Sequence, residues 1–459
     1  MQKLIAKYGA AAHLAILAVA PLFLFPFAGD ATIATSLLWL SVPAVMWMVL
    51  EPSLRRDESL HEARFRVVRE IMLDPLFWTL LLILAFAGFR AINSGIGLAY
   101  DAETSKWYVS SARLAFFPGV VGDAGYLPFA AVLALTVLLQ GCRHSLGKSA
   151  RMSFLLVLSA MAGLAAVIAL VSMLFGNSRV LAVVNGNFGD HAYVGVAFGV
   201  CFLSGTVAVG VMFERRWNWL MPLSALSVGG AAAGAFCFSP PALVCVMAIA
   251  EVILLVYSFV FSCLELEGVV KFKLLVVFGI SLALGALGVM SVLPEGVLTA
   301  RLSVYQSMSF LDDAFFRFRD MLTGIAFKAW LSHIWIGTGL GSFPLDFRFA
   351  ATAADWALLK GGAVALANGW CLAMVERGIV GLAAILTPVG FLAFTFVRRA
   401  IGSFGSHGFI HPICWLGPLS FAAVATIGIV DGSFLRADVL MVTGPLLAVA
   451  AKGFRQGKR

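Results

Sequence analysis

Charged residues are scarce in this chain. They make up 12% of its 459 residues, while 61% are hydrophobic, and soluble domains carry about 25% charged residues. This shortage excludes an ordinary soluble protein and indicates one that crosses a membrane several times. Ten-residue segments of alternating polar and apolar residues are also missing, which argues against a membrane β-barrel. Unbroken apolar runs of about 20 residues, long enough to cross the bilayer, instead predict an all-α membrane protein.

Paired cysteines are a second absence. The seven cysteines are scattered, mostly inside apolar runs, and no CxxC motif or Cys/His pairing occurs. We interpret them as small buried hydrophobic residues, and predict neither a metal site nor a cofactor. The net charge of +8 does not lead us to a nucleic-acid partner, because clustered basic residues in a membrane protein set its orientation.

About twelve spans can be drawn in a single membrane domain, residues 1–459. They cover residues 10–27, 32–50, 75–92, 124–141, 152–175, 191–212, 218–238, 242–262, 272–293, 368–397, 413–431 and 433–452. Basic residues gather in the even-numbered connections and after the last span, which predicts that both termini are cytoplasmic. These residues are Arg55, Arg56, Arg64, Arg66, Arg69, Arg143, Lys148, Arg151, Arg215, Arg216, Lys271, Lys273, Arg398, Arg399, Lys452, Arg455, Lys458 and Arg459.

Two connections on the outer side are long enough to hold structure of their own. We expect a short interfacial helix in residues 92–123, with its aromatic side chains at headgroup level. Residues 294–367 form the longest connection, between spans nine and ten, and are rich in aromatic residues without being rich in Ser or Gly. A long connection of this kind is more often functional than disordered. We predict that it contains short helices lying on the membrane.

Two motifs stand out in and after this long connection. The first is Gly337-Thr-Gly339-Leu-Gly341-Ser-Phe343, which follows His333. Its glycines permit turns and close backbone approach, but it lacks the strand and helix context of a nucleotide-binding fingerprint. The second is Glu376-Arg377-Gly378-Ile-Val-Gly381, which follows Asn368. A charge at membrane depth is a functional candidate; the alternative for Glu376 is a simple pairing with a nearby arginine.

The order and spacing of these motifs resemble the O-antigen ligase and polymerase superfamily of bacterial envelope glycosyltransferases. The family pattern is an Arg that opens an amphipathic helix, a His, a glycine turn, His-Asn before a span, and Glu followed by Gly-x-x-Gly. Here these positions hold Arg319, His333, residues 337–343, Ala367-Asn368 and residues 376–381. The close match covers residues 319–381.

The resemblance implies a multi-pass protein of the bacterial inner membrane that acts at its periplasmic face. It would transfer a glycan from an undecaprenyl diphosphate-linked oligosaccharide to an acceptor hydroxyl, with other polysaccharide-assembly proteins as possible partners. We favour polymerisation of O-antigen or exopolysaccharide repeat units, with ligation to lipid A core as the alternative. A secondary transporter is a distant alternative, because the related halves typical of transporters are not evident.

Such a transfer needs cations that neutralise the leaving diphosphate and a base near the acceptor hydroxyl. Arginine suits the first task because its planar group binds phosphate oxygens in pairs. Arg319 is our first choice for binding the donor, and no metal is then required. The other substrate-binding candidates are Arg317, Arg301, Arg348, Arg179, His191 and Asn368.

Two positions depart from the family pattern. The family His before Asn is Ala367 here, and a methyl group cannot accept a proton. The family's Ser-Arg-Gly turn after span seven is Ser239-Pro240-Pro241, which lacks the Arg. Three explanations stay open: a substituted and weakened enzyme, a non-catalytic assembly protein, or an enzyme with another base. The candidates for that base are His333, Asp355, Glu376 and His191.

Overall fold

A computed structural model describes most of the chain. The residues outside the description are 1, 53, 55–57, 93, 102–105, 111–119, 122–125, 185–191, 215–220, 266–267, 308–312, 354, 356–367, 408–410, 431–435 and 453–459, together with some side chains inside helices. Statements about contacts below refer to the remaining residues.

Helices account for nearly all of the described residues. In chain order they are α1 Gln2–Leu24, α2 Asp30–Leu50, α3 Leu60–Met72, α4 Pro75–Ile92, α5 Leu127–Gln140, α6 Lys148–Leu174, α7 Ser178–Val184, α8 Ala192–Glu214, α9 Met221–Phe238, α10 Pro241–Glu265, α11 Gly268–Val292, α12 Glu295–Ser307, α13 Asp313–Ser332, α14 Phe343–Ala350, α15 Gly369–His407, α16 Pro412–Val430 and α17 Ala437–Lys452. A short π-helical turn, Gly141–Ser145, follows α5.

Eight helical segments within the described residues are long and apolar enough to cross a membrane, which confirms a helical membrane protein. They are Ala31–Leu50, Pro75–Ile92, Leu127–Ser145, Lys148–Leu174, Pro241–Val260, Leu275–Val292, Gly369–Arg398 and Pro412–Ile429. The other four predicted spans fall on shorter apolar segments, Gly9–Leu24, Val194–Gly210, Pro222–Phe238 and Val439–Ala451. Each predicted span therefore coincides with an apolar helix.

The connection after α4 contains strands, so the short helix predicted within residues 92–123 is wrong for its described part. Strand β1, Ser94–Asp101, pairs antiparallel with β2, Lys106–Ser110, and parallel with β3, Val120–Val121. The reason lies in composition: β1 contains two glycines, which disfavour helix, and β2 reads Lys-Trp-Tyr-Val-Ser, which is rich in residues that favour strands.

The membrane helices share one continuous apolar core with members from Ala10 to Ala451. Small residues allow the closest approaches between helices, as is typical in membranes. A β-carbon on Gly229 of α9 would lie 2.4 Å from the carbonyl oxygen of Ser281, and one on Gly285 of α11 would lie 2.6 Å from the carbonyl oxygen of Gly229. These glycines let α9 and α11 pack backbone to backbone.

Three helices, α12, α13 and α14, lie between α11 and α15. Helix α13 begins at Asp313, so Arg319 lies within the helix and not at its opening as the family pattern predicted. Its buried residues Leu322, Ile325, Ala326 and Ala329 recur at helical spacing and pack with Phe343, Phe347 and Val375 in a separate apolar cluster. This cluster fixes α13 and α14 against the first turns of α15.

Candidate functional site

Helix α15 is broken near its start. Gly378 has φ 65° and ψ −173°, a conformation that glycine reaches far more easily than other residues. The residues on either side of it continue as helix. We call Gly378 the helix break.

The segment Gly337–Gly341, which we call the glycine turn, packs directly against the helix break. Its three glycines, Gly337, Gly339 and Gly341, have φ values of 71°, 121° and 74°. The amide of Thr338 donates to the carbonyl of Val375 at 2.8 Å, and the amide of Gly339 donates to the carbonyl of Glu376 at 3.2 Å. These are the two carbonyls that the amides of residues 379 and 380 would bind in a regular helix.

Those two displaced amides find partners just before the glycine turn. The amide of Ile379 donates to the carbonyl of Ile334 at 2.9 Å, and the amide of Val380 donates to the carbonyl of Trp335 at 3.0 Å. These two backbone hydrogen bonds of a regular helix are therefore replaced by bonds to residues 334–339. This exchange satisfies the requirement that buried backbone groups be paired. We call these two segments, residues 334–341 and 375–380, the junction.

Arg90 of α4 donates hydrogen bonds to both segments of the junction. Its side chain is 2% exposed; Nη1 donates to the carbonyl of Glu376 at 3.1 Å and Nη2 donates to the carbonyl of Ile336 at 2.6 Å. The guanidinium also lies over the ring of Phe86, 4.6 Å from its centroid. One cation thus binds both segments of the junction, and hydrogen bonds from charged donors are the stronger class.

Glu376 is the buried acid of the junction. Its Oε1 accepts a hydrogen bond from the amide of Gly341 at 2.8 Å. Arg377, Arg90 and Asp346 lie close enough to interact with it electrostatically, yet no described arginine is within ion-pair distance. The expectation that Glu376 simply pairs with an arginine is therefore wrong for the described residues. The carboxylate instead fixes the end of the glycine turn.

A second carboxyl group, that of Asp346 of α14, also contacts the glycine turn. Its Oδ2 accepts from Thr338 Oγ1 at 2.7 Å and from Ser342 Oγ at 3.1 Å. Burial raises the pKa of Asp346 above its ordinary value, even though these hydrogen bonds and the nearby His333 act in the opposite direction. The site therefore contains two partly or fully buried carboxyl groups that both accept hydrogen bonds from residues of the glycine turn.

Several polar side chains of α13, α14 and α15, and of the residue after α13, keep hydrogen-bonding groups that no other described residue binds. His333 is exposed, and its Nδ1 is 2.9 Å from Ser332 Oγ. Lys328 and Arg348 are exposed, and Arg377 is half-buried beside Glu376. Within the described part of the chain, no hydrogen bond engages the guanidinium of Arg377. These groups could bind an anion at the junction, because lysine and arginine are the usual ligands of phosphate.

Arg301, predicted to bind the donor, is buried among backbone carbonyls instead. Its Nη2 donates to Val184 at 3.0 Å, and its Nη1 donates to Phe236 at 2.5 Å and to Ser239 at 3.4 Å. These bonds tie α12 to the ends of α7 and α9. The contacts of Arg301 are those of a structural residue.

Arg179 and Asn368 also form hydrogen bonds to the backbone. Nη1 of Arg179 donates to the carbonyls of Ala28 and Phe25 beyond the end of α1. Oδ1 of Asn368 accepts from the amides of Trp370 and Cys371 at 3.0 and 3.2 Å, which caps the start of α15. Asn368 thus positions the helix that contains the helix break, and Arg179 ties α7 to the segment between α1 and α2.

Asp355 is engaged in a local turn. Its Oδ2 accepts from the amide of Thr352 at 2.7 Å and from the hydroxyl of Thr352 at 2.8 Å. These bonds hold the pKa of Asp355 below its ordinary value, and a lower pKa makes a carboxylate a weaker base.

Some predicted site residues lie outside the description. They are Ala367 and His191, together with the side chains of Arg317 and Arg319. The backbones of Arg317 and Arg319 belong to α13.

Sequence reasoning missed Arg90, Thr338 and Asp346. Arg90 carried one usable signal, because it is a lone charge near the end of a predicted span, and such charges are functional candidates. Thr338 and Asp346 carried none, since nothing in their spacing shows that they meet. The glycine turn and the Glu376 motif were both found, but not their contact.

The arrangement has three chemical capabilities. The half-buried guanidinium of Arg377 can stabilise negative charge in a region of low dielectric, where electrostatic effects are strong. The exposed imidazole of His333 can act as a general base. The junction supplies a rigid backbone between them.

Comparison with protein-family models finds no match to this chain, and comparison with the curated proteins finds none either.

Proposed function

We propose that this protein is a glycosyltransferase of the bacterial inner membrane that joins oligosaccharide repeat units carried on a polyprenyl diphosphate. The observation that carries the proposal is the junction itself. The two motifs on which the family resemblance rests, residues 337–343 and 376–381, are in direct contact through their backbones. Motifs that merely happened to resemble a family pattern would have no reason to meet.

The proposed topology has twelve spans with both termini in the cytoplasm. It consists of the eight long apolar segments and the four shorter ones. In this topology α4 ends, and α15 begins, on the periplasmic side. The contact between Arg90 and Glu376 supports it, because each residue lies near the end of its helix that this topology places outside. The junction then lies at the outer end of the membrane domain.

The donor would bind through its diphosphate. Arg377 lies beside the helix break, and Lys328 and Arg348 are exposed on α13 and α14. Arg319, on the same helix as Lys328, remains our sequence-based choice for this role. Positive charge fixed beside the leaving diphosphate stabilises the transition state more than the ground state, because the leaving group gains charge as the bond breaks.

The base would be His333. Of the candidates named from the sequence, Asp355 is held by Thr352 and Glu376 is buried against Gly341, whereas the imidazole of His333 is exposed. It precedes the glycine turn, and Gly337 in turn abuts the peptide that joins Glu376 and Arg377. In this proposal His333 removes the proton from the acceptor hydroxyl while the cations hold the diphosphate.

The test is incubation of the purified protein with lipid-linked repeat units, followed by gel separation of the products. The proposal expects a ladder of polymer lengths. Transfer of a whole chain to lipid A core would instead identify a ligase. Activity that appears only in an Ala367→His variant would contradict the assignment of the base, because it would show that the family His is needed.

A further inference from the structure

Glu251 of α10 is a charged residue type placed inside the membrane domain and away from the junction. It lies in the candidate span Pro241–Val260 and is 4% exposed. The helices that pack most closely against α10 are α8, α9, α11, α12 and α16. Their acidic and basic residues, and the other one of α10, are near helix ends or on α12: Glu214, Glu265, Lys271, Lys273, Glu295 and Arg301. Glu251, in contrast, lies in the middle part of α10.

The hydrogen bonds of Glu251 fit a protonated carboxyl group. Thr206 Oγ1 of α8 contacts both Oε1 of Glu251 and the carbonyl oxygen of Phe202, the latter at 3.3 Å. A hydroxyl has one hydrogen and cannot donate fully to two oxygens. If the carboxyl donates its own proton to Thr206, the hydroxyl hydrogen is free for Phe202. Among the described residues no cation forms an ion pair with Glu251, and an unpaired charge there would be costly.

Two further buried polar atoms without partners belong to α16, which packs against α10. Oε2 of Glu251, Oγ of Ser420 and Nε1 of Trp415 are all buried and have no hydrogen-bond partner in the described part of the chain. Ser420 is 0% exposed. Buried polar atoms of this kind are usually satisfied by ordered water.

The packing of α10 against α16 gives the relative depths of these residues. The rings of Tyr257 and Trp415 are in contact, with centroids 5.8 Å apart. Three changes of direction separate α10 from α16 along the chain, because α11 and α15 are also candidate spans, so α10 and α16 are antiparallel. Ser420 is therefore about 7.5 Å deeper than Trp415, at the level of residue 252.

We propose that Glu251 is a proton-binding site inside the membrane domain, and that its proton exchanges through internal water along Ser420 and Trp415. The site opens to the side of the membrane on which α16 begins. Its ligand is a proton, and water is the carrier. This inference does not depend on the proposed glycan transfer, because none of its residues belongs to the junction.

The test uses dicyclohexylcarbodiimide, an apolar reagent that reacts with protonated carboxyl groups, on the full chain in sealed proteoliposomes. A C-terminal tag identifies vesicles in which the end of α17 faces outward; α17 is antiparallel to α16, so Trp415 lies on that same outward side. The adduct on Glu251 is measured by mass spectrometry while the external pH is varied. We expect labelling to fall about tenfold for each pH unit in the range where the site is mostly ionised. Glu251→Gln should abolish this adduct.

Two matched variants test the water path. Ser420→Ala removes one of the unpartnered atoms, and we expect it to slow the response of labelling to an external pH jump. Ser204→Ala removes a hydroxyl that is already bonded to the carbonyl of Cys201, and should keep the wild-type response. The proposal is overturned if Glu251 is never labelled, if labelling ignores external pH, if sodium protects it at constant pH, or if both variants respond alike.

Discussion

Gly337 and Gly378 are packed against each other across the junction. A β-carbon on Gly378 would lie 2.6 Å from the amide nitrogen of Gly337 and 2.3 Å from the carbonyl oxygen of Trp335. One on Gly337 would lie 2.5 Å from the amide nitrogen of Arg377. No side chain fits on either residue without separating the two segments. The family resemblance named glycines at these positions, and the structure gives the physical reason for them.

Gly378→Ala should open the junction. The substitution adds a clash with backbone and forces alanine to a positive φ, which together cost at least about 2 kcal/mol. We expect faster hydrogen exchange at the amides of Thr338, Gly339, Ile379 and Val380, and a lower thermal unfolding temperature of the purified protein.

Gly390→Ala is the matched control on the same helix. A β-carbon there meets nothing within 4 Å, and alanine is favoured over glycine in a helix by about 1 kcal/mol. If Gly378→Ala and Gly390→Ala leave the junction amides equally protected, the account of the helix break is wrong.

Arg90→Met should weaken the contact between the two segments of the junction. The change leaves the carbonyls of Ile336 and Glu376 without their charged donor, and losing such hydrogen bonds costs about 2 kcal/mol. Arg90→Lys should retain part of the stabilisation. An ammonium group can donate to one of the two carbonyls, but it reaches both less easily than a guanidinium does. Exchange at the amides of residues 338 and 339 measures the effect.

Leu82→Ala provides the comparison for Arg90. Leu82 is on the same helix and 73% exposed, so its truncation should leave those amides unchanged. Equal protection in Arg90→Met and wild type would show that the bridge does not hold the junction.

How far the sequence predicts this molecule depends on what kind of contact is involved. Apolar runs must match the thickness of the bilayer, so the helices that cross it follow from the sequence. The contact between Arg90 and Glu376 joins residues 286 positions apart, and no local pattern indicates it. For the same reason Arg301 and Arg179 looked like free periplasmic cations, although each is bonded to distant carbonyls. Charge is visible in a sequence, but its partner is not.

Asp346→Asn should change how stability depends on pH. Because burial raises the pKa of Asp346 above 3.8, the folded protein holds this proton more tightly than the unfolded chain does. Wild-type stability should therefore fall, relative to Asp346→Asn, as pH rises from 3.8 through the raised pKa, and stay level above it. Thermal unfolding at a series of pH values measures the difference.

Asp355→Asn should change the dependence of stability on pH in the opposite direction. The pKa of Asp355 is lowered from 3.8, so its contribution is present above that value and is lost as pH falls through the lowered pKa. If both substitutions change the dependence of stability on pH in the same direction, the environments assigned to these two carboxyl groups are wrong.

Arg377→Gln should reduce glycan transfer while leaving the fold intact. If Arg377 stabilises the leaving diphosphate, its loss should lower the rate by about 100-fold or more. Arg377→Lys should retain part of the activity, since it keeps the charge but not the paired donors. Arg398→Gln, an exposed arginine at the far end of the same helix, should have wild-type activity.

The most direct measurement of the central claim is the product gel for wild type and Arg377→Gln, each incubated with lipid-linked repeat units at equal concentration of folded protein. The account predicts a polymer ladder from wild type and from Arg398→Gln, and almost none from Arg377→Gln. No ladder from wild type, or an undiminished ladder from Arg377→Gln, would contradict glycan transfer at the junction.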